Sequence, residues 1–414
     1  MTYSLDRRTR RDEDRRHIVS SAFFAQEAPK LIAAHGSLLA DALSALGPPS
    51  LAIEVDSEAW TLQRAADTVE VKSGVAEGAL VVSLSPEQFS DWAQNQMSLN
   101  GFMVSRTLKF RNGSADDVSV WDSLWIALLE GWPVTADNLT FLDRRGAPLD
   151  LSKFFIQDDD PDDVAHFLRE AGFLRLKGWL DPRELASIST DMDNARSLYQ
   201  EGDGKSWWAT LSDGSRACVR LQEFVEHSPT TARILSSSAW DGLRRILAGR
   251  HDVLASKPVQ GRIIEALFKP IGVIAGPSDL SFHRDCHLGR HAYVCSRMTL
   301  GIPLTPSSEV NGLLQAVAGS HRAVMPAEIA KTRAYLPIVS LPTEPGDITV
   351  HLSCTLHAST PPVFAERRVL YMEIPLASLQ NGGVPVDTSL NEVRERVNDI
   401  LRNEHEHATR PSRS

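Results

Sequence analysis

The ten residues from Leu280 to Gly289, L-S-F-H-R-D-C-H-L-G, contain four side chains that can bind a metal ion. On a β-strand, residues two apart point to the same face, so His283 and Asp285 would present an imidazole and a carboxylate together. Arg284 and Cys286 would turn away, and Cys286 is expected to be a packing residue. The spacing therefore predicts part of a metal site, which needs a further ligand from elsewhere in the chain.

Two other interpretations of motifs in this chain fail on spacing. H-R-D is also a tripeptide of protein kinases, but the kinase loop needs an asparagine five residues after the aspartate, where this chain has Arg290. E-G-D-G-K-S at 201–206 ends like a phosphate-binding loop, but Tyr199 stands where the first glycine of that loop is required. We therefore expect neither kinase nor phosphate-loop chemistry.

A second imidazole would complete a facial triad of two histidines and one carboxylate, which leaves three positions on a metal open. The candidates are His287, His291, His321, His351 and His357. His357 is favoured, because a P-G-D turn leads into an apolar strand and this histidine follows it. We expect the histidines at 287, 291 and 351 to line or support the site, and the histidine at 321 to be a structural turn residue.

Two arginines follow the favoured distal histidine. Arg367 and Arg368 come ten and eleven residues after His357 and open the apolar strand R-R-V-L-Y-M-E-I. A guanidinium placed there can hold a carboxylate through a charge-assisted pair. Because adjacent strand residues face opposite ways, only one of the two can point toward the metal.

Five stretches of the chain resemble motifs of the phytanoyl-CoA dioxygenase family of iron(II)- and 2-oxoglutarate-dependent oxygenases. They follow one another in the same order as in that family. They are H-F-L-R-E-A-G-F-L-R-L-K-G-W-L-D-P-R-E-L, F-H-R-D, N-G-L-L-Q-A-V-A-G-S-H-R, P-G-D-I-T-V-H-L-S-C-T-L-H-A-S and E-R-R-V-L. The resemblance spans about residues 155–378. It implies a double-stranded β-helix with Fe(II) held by His283, Asp285 and His357.

The resemblance also implies 2-oxoglutarate and dioxygen as co-substrates, with the distal carboxylate of 2-oxoglutarate on an arginine. Counting from the distal histidine favours Arg368, whereas aligning on the basic pair before the apolar strand favours Arg367. We prefer Arg368 on the count. Ser359, two residues after His357, is expected to be a second contact to the same carboxylate.

The function expected from this resemblance is hydroxylation of an unactivated carbon in a small organic metabolite, with release of succinate and CO2. Asp285 favours hydroxylation over halogenation, because a halogenase of this architecture needs a small residue there to make room for chloride. Two alternatives stay open: a cupin-type metal barrel with hydrolytic or isomerase activity, and an apolar-ligand-binding protein with an inactive barrel. The substrate is not specified by the sequence.

The elements that must position these residues fall in a domain predicted at 151–390. Asp160 and Pro161 predict the start of a helix that ends at Gly172, and Asp181 with Pro182 predicts the start of another. Beyond Leu280, short apolar stretches alternate with Gly, Pro, Asn and Ser turns, as in an antiparallel barrel. Residues 391–414 predict a C-terminal helix and tail.

A smaller α+β unit is predicted at 25–148, after a flexible arm at 1–24. L-A-I-E-V and A-L-V-V-S-L resemble strands, and Val118, Trp121, Trp125 and Leu128 share one face of a helix. The order of these stretches resembles a sterol-carrier-protein-like domain, which implies an apolar cavity or a structural, dimerising role. The fold class expected for the whole chain is α+β.

Composition limits the partners. The net charge of −10 over 414 residues argues against a nucleic-acid-binding surface. Four cysteines without a C-x-x-C pair do not form a disulfide framework and favour a reducing compartment. The N-terminus lacks the apolar core of a signal peptide, and no apolar run suggests a membrane span, so we expect a cytoplasmic enzyme with a small-molecule substrate. The sequence does not indicate an oligomeric state.

Overall fold

The architecture was examined in a computed structural model. It describes residues 16–95, 97–104, 107–131, 134, 139–238, 240, 243, 264–276, 282–285, 297–327 and 336–375. Several predictions fall outside these ranges: most of the arm at 1–24, the tail at 391–414, and the side chains of Cys286, His287 and His291. None of the helices in the described ranges combines the length and apolar character that a membrane crossing requires.

The first unit is a five-stranded sheet with helices. Its strands are β1 (Leu51–Val55), β2 (Glu58–Ala65), β3 (Thr68–Ser73), β4 (Leu80–Leu84) and β5 (Lys109–Arg111). Their order is β3-β2-β1-β4-β5, and all pairs are antiparallel except β1 with β4. The helices are α1 (Ser20–Ala22), α2 (Ala28–His35), α3 (Ala40–Leu46), α4 (Pro86–Ala93), α5 (Leu99–Val104) and α6 (Ala115–Glu130), with a π-helical turn at Phe23–Glu27 and a 3-10 turn at Gly36–Leu39.

Local sequence accounts for the two best-defined helices of this unit. Ser85 and Ser114 each form a capping box, in which the serine hydroxyl accepts from the backbone of the third helical residue and that residue's side chain accepts from the serine backbone. The predicted apolar face of α6 is confirmed, since Val118, Trp121 and Trp125 are all buried. The indole rings of Trp92 and Trp125 stack at 3.9 Å between centroids.

The second unit contains two sheets. The large sheet has the order β10-β7-β8-β9-β16-β11-β14-β6, and the small sheet has the order β13-β12-β15. Their strands are β6 (Phe173–Leu176), β7 (Ser206–Leu211), β8 (Arg216–Leu221), β9 (Ile264–Lys269), β10 (Val273–Ala275), β11 (Arg297–Pro303), β12 (Leu314–Val317), β13 (Ile338–Leu341), β14 (Ile348–Leu352), β15 (His357–Ser359) and β16 (Arg367–Pro375). All described pairs in these two sheets are antiparallel. The predicted α+β class with a jelly-roll second unit is confirmed.

Within the described ranges, three α-helices accompany these sheets: α7 (Pro161–Ala171), α8 (Pro182–Arg196) and α9 (Pro229–Leu235). As predicted, Asp160 and Asp181 cap α7 and α8 by accepting a backbone hydrogen bond. α7 ends at Gly172, whose φ of 84° lies in the left-handed region that favours glycine.

The two faces of the large sheet have different roles. Leu300 of β11, Met372 of β16 and Ile264 of β9 are in register, so they share one face, and all three are buried in the hydrophobic core with α8. Thr299 and His351, one residue away on β11 and β14, are also in register and therefore occupy the opposite face. This opposite face is the interior of the jelly roll, toward the metal-ligating residues described below.

The core of the first unit does not stop at its own sheet. It continues into the second unit through buried residues that include Val317, Met325 and Leu356. Phe282, which precedes His283, packs against the same core. The predicted boundaries at 148 and 151 remain predictions.

Candidate metal and co-substrate site

The structure brings His283 and His357 together through their backbones. Each residue's amide donates to the other's carbonyl at 3.0 Å, which forms an isolated antiparallel bridge. The two imidazole rings then lie 4.3 Å apart between centroids. Residues 283–285 do not continue as a strand, since Asp285 lies in a 3-10 conformation, but its carboxylate is still on the same side as these rings.

The three predicted ligands form one cluster. Oδ1 of Asp285 lies 3.5 Å from Nε2 of His283 and 3.6 Å from Nε2 of His357. One ligand atom from each residue lies within 4.8 Å of the others. Neighbouring ligands on an ion with bonds of about 2.1 Å are separated by about 3 Å, so a small adjustment of side chains would complete the site. This set of two nitrogens and one oxygen on one side is able to bind a metal ion.

Burial and the neighbouring groups favour the protonation states in which Asp285 and His357 can bind a metal. Burial by itself would raise the pKa of Asp285, but His357, His283 and His351 outweigh it and hold that pKa well below its ordinary value. Burial, together with the neighbouring histidines, lowers the pKa of His357 well below its ordinary value. A deprotonated carboxylate and a neutral imidazole are the forms that bind a metal.

The backbone also fixes which nitrogen of His357 is available. Its Nδ1 lies 3.0 Å from the carbonyl oxygen of Thr355. A carbonyl can only accept, so Nδ1 carries the proton and the lone pair of Nε2 is free for a metal.

Arg284 points away from the ligands, as predicted. It is buried, and its guanidinium donates to the carbonyl oxygens of Cys354, Ser320, Ala323 and Met325. These bonds tie the segment that carries two ligands to the loop after β12 and to the segment before His357.

A second group of polar residues lies where β9, β15 and β16 meet. Ser359 Oγ accepts from Lys269 Nζ at 2.6 Å and from Arg367 Nη1 at 3.2 Å. Lys269 and Arg367 are cross-strand partners, and each is only 3% exposed. Nε of Arg367 is buried without a hydrogen-bond partner in the described structure. We call Lys269, Ser359 and Arg367 the cationic pocket.

Arg368 lies on the other face of β16. Its guanidinium donates to Asp193 Oδ2 at 2.8 Å, to Glu366 Oε1 at 2.9 Å and to Ser189 on α8. These partners already satisfy its charge and hydrogen bonds outside the barrel. The guanidinium of Arg368 therefore lies on the face of β16 opposite to that of Arg367, and which of the two arginines binds 2-oxoglutarate stays a prediction.

The other candidates behave as supports. His351 is 1% exposed and its Nε2 lies 3.3 Å from Oδ2 of Asp285. His321 lies in a 3-10 turn, where its Nε2 contacts the carbonyl oxygen of Arg169 at 2.8 Å. Sequence reasoning missed Lys269 and Thr299, although a lysine at the end of the apolar strand I-E-A-L-F-K is a usable signal for the first of them.

The cysteine pattern did not predict the disulfide at Cys354, because the pairing of cysteines depends on which of them the fold brings together. Cys354 is disulfide-bonded, and Cys218 is a buried free thiol. The disulfide lies three residues before the distal histidine.

Several solved structures are similar to part of this chain. Among solved structures, AviO1 from Streptomyces viridochromogenes Tue57 is 23% identical with a TM-score of 0.41, covering 55% of this chain and 98% of that one. EctD from S. alaskensis, solved with 2-oxoglutarate and 5-hydroxyectoine, is 18% identical with a TM-score of 0.42, covering 60% and 87%. The epimerase SnoN from nogalamycin biosynthesis is 17% identical with a TM-score of 0.38, covering 52% and 83%.

The family comparison agrees with the resemblance noted in the motifs. No curated protein matches the chain in sequence. The family described as Phytanoyl-CoA dioxygenase (PhyH) matches residues 168–368, a range that contains all three predicted metal ligands and the cationic pocket. It does not include residues 25–148, whose likeness to sterol-carrier proteins stays a prediction. Residues 168–368 are therefore a domain of the phytanoyl-CoA dioxygenase (PhyH) family.

Proposed function

We propose that the protein is an Fe(II)- and 2-oxoglutarate-dependent oxygenase that hydroxylates an unactivated carbon of a small organic substrate. In this reaction 2-oxoglutarate and dioxygen are consumed, and succinate and CO2 are released. His283, Asp285 and His357 hold the iron, and the cationic pocket holds the distal carboxylate of 2-oxoglutarate.

The observation that supports this proposal most is that three side chains able to bind a metal ion and a buried pair of cations lie in the same unit of the protein. Ser359 connects the two groups, because it contacts both Lys269 and Arg367 and lies on β15 two residues after His357. A buried guanidinium with an unpartnered Nε is costly unless a ligand satisfies it. A carboxylate supplies both the negative charge and the acceptor atoms.

Each of the proposed site residues has a separate role. The iron, when bound, supplies the oxidative chemistry. The triad presents one oxygen and two nitrogens and leaves three positions for co-substrates. Arg367 and Lys269 orient 2-oxoglutarate by its far end, so that its keto acid end is directed toward the metal. Asp285 occupies the place that a halogenase leaves for chloride, which favours hydroxylation.

The experiment measures two properties of the Fe(II)-loaded protein: 2-oxoglutarate binding by calorimetry under nitrogen, and succinate formed after dioxygen is admitted. We expect the wild type to bind 2-oxoglutarate and form succinate, and Asp285→Ala and His357→Ala to lose both. Asp213→Ala, in the exposed turn between β7 and β8, is the matched control and should behave as the wild type.

The same measurements separate the proposal from its alternatives. Metal binding without 2-oxoglutarate binding would indicate a cupin-type barrel with another activity. Failure to bind either would indicate an inactive barrel. Full succinate formation by Asp285→Ala would refute the assignment of the metal ligands.

A further inference from the structure

The two carboxylate oxygens of Asp285 have different surroundings. Oδ1 is the oxygen nearest to the metal-ligating nitrogens of His283 and His357. Oδ2 accepts from Thr299 Oγ1 at 3.0 Å and lies 3.3 Å from Nε2 of His351. One oxygen therefore faces the other predicted ligands, and the other oxygen is engaged by two polar side chains.

Both side chains that engage Oδ2 are held firmly by the large sheet. Thr299 on β11 and His351 on β14 are directly paired in register and point to the barrel interior. Thr299 is 8% exposed and His351 is 1% exposed. Cross-strand partners on one face lie about 5 Å apart, which is close enough for two side chains to reach one oxygen.

The surroundings of His351 indicate which of its nitrogens carries the proton. Nδ1 is buried and has no hydrogen-bond partner in the described structure. The hydrogen bond is made at Nε2, where the acceptor is a carboxylate oxygen. Nε2 therefore donates to Oδ2 of Asp285, as the hydroxyl of Thr299 does.

We propose that Thr299 and His351 are positioning residues that keep Asp285 monodentate. This inference rests on the proposed function and concerns the same site. A carboxylate can chelate a metal through both oxygens, but two donors occupy the lone pairs of Oδ2 and direct only Oδ1 to the ion. A chelating carboxylate would take a fourth position, whereas a monodentate one leaves room for a bidentate keto acid and for dioxygen.

Another role for His351 is direct ligation. Its ring lies 4.1 Å from the ring of His357 between centroids. The described cluster of potential ligand atoms, however, consists of His283, Asp285 and His357. In addition, Nε2 of His351, the atom that a metal would need, is already engaged in the hydrogen bond to Oδ2 of Asp285.

The test titrates metal-free protein with Co(II) and follows affinity and the ligand-field absorption spectrum. Thr299→Val removes the hydroxyl with almost no change in shape, and Thr299→Ser keeps it. His351→Leu removes the donor, and His351→Gln keeps an N–H near the same place. We expect the Val and Leu variants each to weaken Co(II) binding about tenfold, as is typical for lost partners of metal-ligating residues, with the spectrum changed as Asp285 becomes bidentate. The Ser and Gln variants should retain most of the affinity.

Three outcomes would overturn the inference. The first is Thr299→Val with the affinity and spectrum of the wild type. The second is a loss of Co(II) affinity in His351→Leu with no such loss in Thr299→Val, which would make His351 a ligand. The third is a fall in the thermal midpoint of metal-free Thr299→Val without a change in Co(II) affinity, which would make Thr299 a packing residue. Co(II) binding needs neither 2-oxoglutarate nor turnover, so a failure of the proposed function would be seen separately, as absent 2-oxoglutarate binding.

Discussion

Arg367 and Arg368 are adjacent in the sequence, but they have opposite environments. Arg367 points into the barrel, where it is 3% exposed and contacts Ser359 beside Lys269. Arg368 points outward to Asp193 and Glu366. Strand alternation thus directs one guanidinium into the barrel, where we propose that it binds 2-oxoglutarate, and the other toward α8.

This difference predicts unequal effects of the same substitution. We expect Arg367→Met to weaken 2-oxoglutarate binding by about 10- to 100-fold, because a hydrogen-bonded charge is worth about 1.5 to 3 kcal/mol. Arg368→Met is the matched control and should leave the dissociation constant within about twofold. Calorimetric titration of the metal-loaded variants measures both values. A larger loss of 2-oxoglutarate affinity in Arg368→Met than in Arg367→Met would indicate that Arg368 binds the co-substrate.

At the scale of elements, helix α6 does more than form part of a core, because it also holds the start of α5. Asp122 of α6 is buried, and its carboxylate accepts from the backbone amide of Leu99 at 2.7 Å and from that of Asn100 at 3.5 Å. Amides in the first turn of a helix have no intrahelical acceptor, so this side chain from another helix satisfies them. Burial is nevertheless the larger influence, and it raises the pKa of Asp122 to about 6.

The shifted carboxyl predicts a pH dependence of stability with a definite sign. Its pKa is higher in the folded protein, about 6, than the ordinary 3.8, so the folded state binds the proton more tightly. The stabilisation of the folded state by the proton on Asp122 is therefore fully present below pH 4 and is lost as the pH rises through 6. The difference of about 2 units corresponds to at most about 3 kcal/mol.

Urea unfolding of the wild type and Asp122→Asn between pH 4 and pH 7 measures this effect. Asparagine keeps an acceptor but cannot ionise, so we expect the variant to gain stability relative to the wild type as the pH rises. Asp116→Asn, at an exposed position in the first turn of the same helix, is the control. Parallel pH profiles for the wild type and Asp122→Asn would contradict the prediction.

At the scale of the whole molecule, the first unit and the metal site share a hydrophobic core. Leu356, directly before the distal ligand, is fully buried in the core that contains Trp121 and Trp125 of α6. Phe282, directly before His283, packs against the same core. The first unit therefore packs against both chain segments that carry the histidines predicted to bind the metal.

Two matched leucine truncations test the effect of this packing. Leu356→Ala and Leu185→Ala each remove a fully buried side chain, and each should cost about 2 to 5 kcal/mol of unfolding free energy. Leu185 lies on α8, against the other core. We expect only Leu356→Ala to weaken Co(II) binding, measured by titration at a temperature where both variants are folded. Equal Co(II) affinities would show that the shared core does not position the ligands.

The sequence by itself determined the features that depend on neighbours in the chain. The capping aspartates at 160 and 181 start their helices because a cap acts within one turn. The H-x-D spacing predicted that the side chains of His283 and Asp285 lie together, as they do although no strand forms at 283–285, and the ordered motifs predicted the family and the distal histidine. The fold of the second unit follows from the same resemblance.

Only the tertiary structure decided what depends on strand pairing across long stretches of sequence. Register places Lys269 opposite Arg367, and Thr299 opposite His351, although the members of each pair are separated by at least 50 residues. A shift of register by one residue would turn every side chain of a strand to its other face, so no local pattern could choose between Arg367 and Arg368. The shared core around Leu356 is equally a matter of packing between distant segments.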